Sequence, residues 1–99
     1  MYDNNTPFEY TLTGLELGSA RSRIIAQHIA HNNTLLSIHL ARKRIGDLEG
    51  VSFAKMLRTN NVLRKLDLEG NLLGPKTMGE FGEVLKMNKT LRSLNLADN

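Results

Sequence analysis

Three phrases of leucines return at a fixed interval, and that interval limits what this chain can fold into more than anything else in it. Leu63-Arg-Lys-Leu66-Asp-Leu68-Glu-Gly-Asn71 comes back as Leu91-Arg-Ser-Leu94-Asn-Leu96-Ala-Asp-Asn99, 28 residues later. It is preceded by Leu35-Leu-Ser-Ile38-His-Leu40-Ala-Arg-Lys43, 28 residues earlier, and by the shorter echo Leu12-Thr-Gly-Leu15-Glu-Leu17. A period in this range predicts a supersecondary unit that buries its apolar side against its neighbours in a stack.

Each unit changes period half-way along. In Leu66-Asp-Leu68 apolar residues alternate, the pattern of a strand. Gly50, Phe53, Met56 and Leu57, like Met78, Phe81, Val84 and Leu85, follow helical spacing instead. Pro75 after Gly74 suits a first helical position, and Asp47 and Glu49 place negative charge at the positive end of the second helix. These signals predict helices over 19–31, 47–59 and 75–87 and strands near 14–18, 37–41, 65–69 and 93–97. Leu66, Leu68, Phe81 and Leu85 are expected in the core, Met56 and Met78 join them by register, and Asp67 is expected outside.

The run from Leu63 to Leu91 resembles the 28-residue leucine-rich repeat of the ribonuclease-inhibitor-like class. Its LxxLxLxxN phrase, Gly-containing turn, apolar helix anchors and closing Asn all match, and the preceding unit matches through Ile45-Gly46, Phe53, Leu57, Asn60 and Leu63. The Asn of the motif is present as Asn71 and Asn99 but replaced by Lys43 and Ala20 in the earlier units. The resemblance implies an α/β leucine-rich-repeat solenoid, a horseshoe segment with parallel strands on its concave face and helices on its convex face. It implies a single domain over 1–99: an N-terminal cap segment at 1–11, repeats at 12–34, 35–62 and 63–90, and a truncated final repeat at 91–99. Similar repeats serve in innate-immune sensors, activators of a nuclear-transport GTPase, actin-regulating proteins and ciliary assemblies, and what these share is protein binding.

If the leucines face the core, the residues between them line the opposite sheet face in columns. One column holds Glu16, His39, Asp67 and Asn95; a second holds Ser37, Lys65 and Ser93 behind Gly14; Glu69 heads toward a third with Ala41 and Ala97. These are the expected partner-binding residues. The trio Glu16, His39 and Asp67 invites a metal or catalytic reading, but such a column is open to water and lacks a nucleophile and a pocket, so no catalytic, metal or cofactor-binding residue is assigned. No cofactor is expected, and the chain is read as no enzyme. Arg42-Lys43-Arg44 is the densest positive run, and Arg64 and Arg92 repeat a charge at the flank of the same face.

Composition narrows the partner class. The 13 basic and 10 acidic residues give a net charge of +3, too mild and too scattered to indicate nucleic acid. With no cysteine, disulfides and thiolate metal sites are excluded. No apolar run approaches a membrane span, and the polar N-terminus is unlike a signal peptide. Asn4, Asn32 and Asn88 open Asn-x-Thr triplets, but the last two follow helices, where Asn serves as a C-terminal cap. The expectation is a non-enzymatic protein-protein interaction scaffold in the cytoplasm, part of a larger leucine-rich-repeat protein, binding a protein on its concave face. The alternative is a structural or self-associating module that pairs, as a homodimer or assembly contact, through the strand edge at Leu91, Leu94 and Leu96.

Overall fold

The computed structural model describes residues 9–11 and 19–99. Among the described residues seven elements alternate: β1 (Glu9–Thr11), α1 (Ser19–His31), β2 (Ser37–His39), α2 (Asp47–Met56), β3 (Lys65–Asp67), α3 (Pro75–Val84) and β4 (Ser93–Asn95). The strands form one parallel sheet in the order β1-β2-β3-β4. In register, Ile38 pairs with Leu66 and Leu66 with Leu94. α1 packs on α2 and α2 on α3, and the helices and strands share a single apolar cluster that includes Ile29, Ile38, Phe53, Leu66, Leu68, Phe81 and Val84.

The expected horseshoe segment, a leucine-rich-repeat solenoid with concave and convex faces, is not what the chain forms. The molecule measures 32 × 32 × 21 Å with a radius of gyration of 12.0 Å, so it has no long axis. It is a compact two-layer α/β body with three helices over a sheet of three-residue strands. The physical reason is the number of layers. Helices pack about 8–10 Å apart, so three of them span no more than the body is wide, and one core closes before curvature can develop.

A second correction concerns phase. The first strand was expected near 14–18, but β1 lies at Glu9–Thr11, inside the segment read as a cap, with Glu9 opposite Ser37 and Tyr10 opposite Ile38. The expected strand itself falls outside the described residues. All three helices begin where the sequence places them; α1 also ends there, at His31, while α2 and α3 end earlier, at Met56 and Val84. Their last turns tighten into i→i−3 bonds: the Leu57 N–H donates to Ala54 O (3.1 Å) and the Arg58 N–H to Lys55 O (2.9 Å).

Two ladders of asparagines hold successive units in register. Between helix and strand, Asn60 Nδ2 donates to the carbonyls of Ile29 (2.8 Å) and Asn32 (3.1 Å), while its Oδ1 accepts from the N–H groups of Val62 and Leu63. Asn88 repeats this one unit on, donating to Leu57 O and Asn60 O and accepting from Thr90 and Leu91. Asn32 and Asn88 therefore organise the start of the next strand, a different role from the simple helix cap expected of them. Between strand and helix, Asn71 Nδ2 donates to Leu40 O and Leu68 O, and its Oδ1 accepts from the N–H groups of Lys43 and Ile45. The bend at Lys43, which has no Asn of its own, is thus satisfied by the Asn of the following unit.

A carboxylate ties the helices together in the same way. The α3 N-cap is Gly74, which has no side chain to offer. Asp47, at the start of α2, supplies the cap instead: its carboxylate accepts from the N–H groups of Gly74 (3.0 Å), Lys76 (3.1 Å) and Thr77 (2.8 Å). Thr77 Oγ1 returns a bond to the Asp47 carbonyl. The backbone bond from Thr77, with those from Lys76 and Gly74 and the Thr77 hydroxyl beside it, holds the Asp47 carboxyl below its ordinary range against the cost of desolvation. Gly50 keeps the seam close, because a Cβ there would meet Thr77 Oγ1 and lie 2.5 Å from Leu73 Cδ2.

Candidate functional site: the outer face of the sheet

The face of the sheet turned away from the helices carries the polar columns. Strand alternation sends Ile38, Leu66 and Leu94 inward and leaves the residues on either side of each to point outward. One column runs His39, Asp67, Asn95 and another Ser37, Lys65, Ser93, as the sequence predicts for β2 to β4. At β1 the register differs. Thr11, and not Glu16, stands opposite His39, and Glu9 stands opposite Ser37. Glu16 lies outside the described residues.

The columns are cross-linked. Ser37 Oγ lies 3.0 Å from His39 Nε2, and His39 Nδ1 lies 3.9 Å from Asp67 Oδ2 on the next strand. Asp67 Oδ1 accepts the Glu69 N–H at 3.1 Å. Glu69 then reaches in two directions: Oε1 accepts from Asn95 Nδ2 at 2.9 Å, and Oε2 from Arg42 Nη2 at 2.8 Å. Asn95 Oδ1 closes the end of β4 by accepting the Ala97 N–H. Glu69 thus joins Arg42 to Asn95, the Ser37–His39 pair stands beside them on β2, and Asp67 is half-buried where exposure was expected.

Arg42 is the member that the sequence did not place on this face. The reason is its backbone. Arg42, Gly70 and Asp98 occupy equivalent bends, all with positive φ (56°, 71° and 58°), and only glycine adopts that region at no steric cost. Gly70 also makes room: a Cβ on it would come within 2.9 Å of Arg42 Cγ, so the arginine lies across the glycine on its way to Glu69. A long side chain in a slot that suits glycine was the available signal.

Serine, histidine and aspartate in a line suggest nucleophilic chemistry, and the geometry argues against it. At 3.9 Å the His39–Asp67 contact is too long to orient the imidazole as a hydrogen bond would. The trio stands on an open sheet with no paired donors among the described residues to stabilise an oxyanion. What this face can do is present hydrogen-bonding groups of both signs in fixed positions.

The edge expected to self-associate lies at β4, the last strand of the sheet order. Leu91, Leu94 and Leu96 are partly covered, packed against the core cluster but not enclosed by it. Beside them Leu85 (40 % exposed) and Met78 (37 %), both expected in the core, stand open. They lie on the flank of α3 that no further helix covers among the described residues. Met56, at the inner position, is buried as expected.

No protein-family model matches this sequence, and no curated protein does. Among solved structures the chain is similar to leiomodin-1 actin-binding site 2, at a TM-score of 0.81 and 22 % sequence identity. The match covers 90 % of this chain and 54 % of that one, so this chain spans about half of the structure it resembles. At this identity the likeness shows a shared fold. No helix among the described residues is long and apolar enough to cross a membrane.

Proposed function

We propose that this chain is a non-enzymatic protein-interaction module that works inside the cell and presents the outer face of its sheet to a protein partner. The observation that carries the reading is its likeness to a fragment whose own role is actin binding, over nine-tenths of this chain. Actin is accordingly the first partner to test. The side-chain bonds from Arg42 and Asn95 to Glu69, and the Ser37–His39 pair, support the choice of face. Side chains already held by one another lose less conformational freedom when a partner arrives. The 28-residue register between neighbouring strands supports kinship with leucine-rich-repeat proteins, without their horseshoe shape. Co-sedimentation with actin filaments, and a titration of monomeric actin, test the partner. The reading expects saturable binding in at least one of them; none in either, with a folded chain, removes actin.

One observation favours a second reading. β4 stands at the end of the sheet order, and unpaired strand edges template pairing with other chains. With Leu85, Leu94 and Leu96 beside that edge, self-association through residues 91–99 is the alternative. Sedimentation at rising concentration decides it: a monomer throughout, unchanged when Leu94 and Leu96 are made polar, rules it out.

A further inference from the structure

The starts of the strands carry a charge pattern that the polar columns do not explain. Arg64 and Arg92 occupy equivalent positions on neighbouring chain segments, joined by a bond from the Arg92 N–H to Arg64 O at 2.8 Å. Lys65 follows Arg64 at the head of β3, and Lys89 lies in the loop that leads into β4. All four residues are exposed. The charged groups just past the helix ends that lead into these strands have partners: Arg58 with Glu80 and Lys86 with Glu83. Among the described residues no carboxylate pairs with Arg64, Lys65, Lys89 or Arg92; Lys89 reaches only the Lys86 carbonyl, at 3.4 Å. Like charges set side by side on adjacent strands repel, so this rim costs stability and leaves a positive field unanswered. The strand ends are different, since Asp67 and Glu69 sit there, held by the bonds already described.

We propose that this rim of Arg64, Lys65, Lys89 and Arg92 docks an acidic polypeptide segment of the protein partner. The inference rests on the protein-binding reading above and names the chemistry of what is bound. Charge complementarity selects an acid, and bidentate guanidinium–carboxylate pairing suits two adjacent arginines. The geometry suits an extended peptide: its alternate side chains are about 6.6–6.8 Å apart, and two flexible arginines rooted about 4.8 Å apart on neighbouring strands splay to meet that spacing. Nucleic acid fits less well. The two described phenylalanines, Phe53 and Phe81, are buried, so neither is available at the rim for a base to stack on.

The test measures anisotropy of a labelled polyglutamate peptide titrated with the chain, alongside single-stranded DNA and phosphatidylserine-containing vesicles. The expected result is salt-sensitive peptide binding, weakened roughly tenfold or more by R64E/R92E and left in place by R23E/K55E, an equal charge change on the exposed helix side. R64Q/R92Q repeats the test should the reversal disturb folding, which thermal melts reveal. Equal losses in both charge-reversal pairs would reduce the effect to net charge and overturn the rim, as would binding of DNA or vesicles in place of the peptide. Actin binding that survives R64E/R92E while peptide binding is absent sinks the rim alone. Peptide binding without actin binding sinks only the choice of actin.

Discussion

Leu57 and Leu85 hold the same place in successive helical units, 28 residues apart, yet Leu57 is 2 % exposed and Leu85 40 %. The same contrast separates Leu66 from Leu94 and Leu68 from Leu96: buried in the middle unit, only partly covered in the last. Asn71 is buried, while Asn99 makes an equivalent pair of bonds to Leu68 O and Leu96 O but stays exposed. Identical letters in an identical register differ in burial because each unit's cover is supplied by its neighbour. What a leucine contributes here is a property of the pair of units and not of the motif.

The sharpest way to break that comparison is to shorten the two leucines. Leu66→Ala should cost on the order of 2–5 kcal/mol, and Leu94→Ala less than half as much, in urea titrations of the two variants. Equal losses would mean that the end unit is as well packed as the middle.

The asparagines come next. Asn71→Ala removes five bonds from a buried site and should cost about 2–3 kcal/mol, whereas Asn99→Ala should cost under about 1 kcal/mol because water replaces what is lost. Thermal melts with matched denaturant data check the ranking.

Smaller still is Lys43→Asn. The bend at Lys43 already receives Asn71 Oδ1 on its N–H, and a carboxamide at 43 is set to donate to Leu40 O as Asn71 does to Leu68 O. A gain of up to about 1 kcal/mol is expected; a lower melting midpoint would show that the buried Lys43 stem packs better than an extra rung.

The seam between α2 and α3 sharpens the comparison by pH. The Asp47 carboxyl titrates lower in the folded chain than in the unfolded one. Its stabilising effect is therefore complete above its unfolded value, about 3.9, and fades as pH falls through the folded value. Asp47→Asn should flatten that part of the acid limb in a pH series of melts. An unchanged acid limb would show that the cap contributes little.

Much of this was legible in the chain, for reasons that locate the errors. Pro75 after Gly74, and Asp47 with Glu49, mark helix starts by local chemistry, and those starts are where the structure has them. The outward columns of β2 to β4 follow from strand alternation alone. The first strand was misphased because Leu12-Thr-Gly-Leu15-Glu-Leu17 imitates the leucine phrase, while the strand that pairs with β2 is Glu9–Thr11, with Tyr10 opposite Ile38. Backbone pairing counts residues and does not require a leucine. The horseshoe was overdrawn because a period reveals the unit but not how many units are needed before a stack departs from a globule. The exposure of Leu85 and Met78, and the reach of Arg42 to Glu69, depend on neighbours distant in sequence, which no local pattern encodes.

The central functional claim is that the outer sheet face, and not the helical side, meets the partner. The most direct measurement compares two triple variants in the same actin co-sedimentation assay: Lys65→Ala, Glu69→Ala and Ser93→Ala on the sheet, against Arg23→Ala, Lys55→Ala and Glu83→Ala on exposed helix positions. With both variants folded by thermal melt, the account predicts that the sheet variant loses most of its binding and the helix variant keeps the affinity of the parent chain. Loss confined to the helix variant would contradict it.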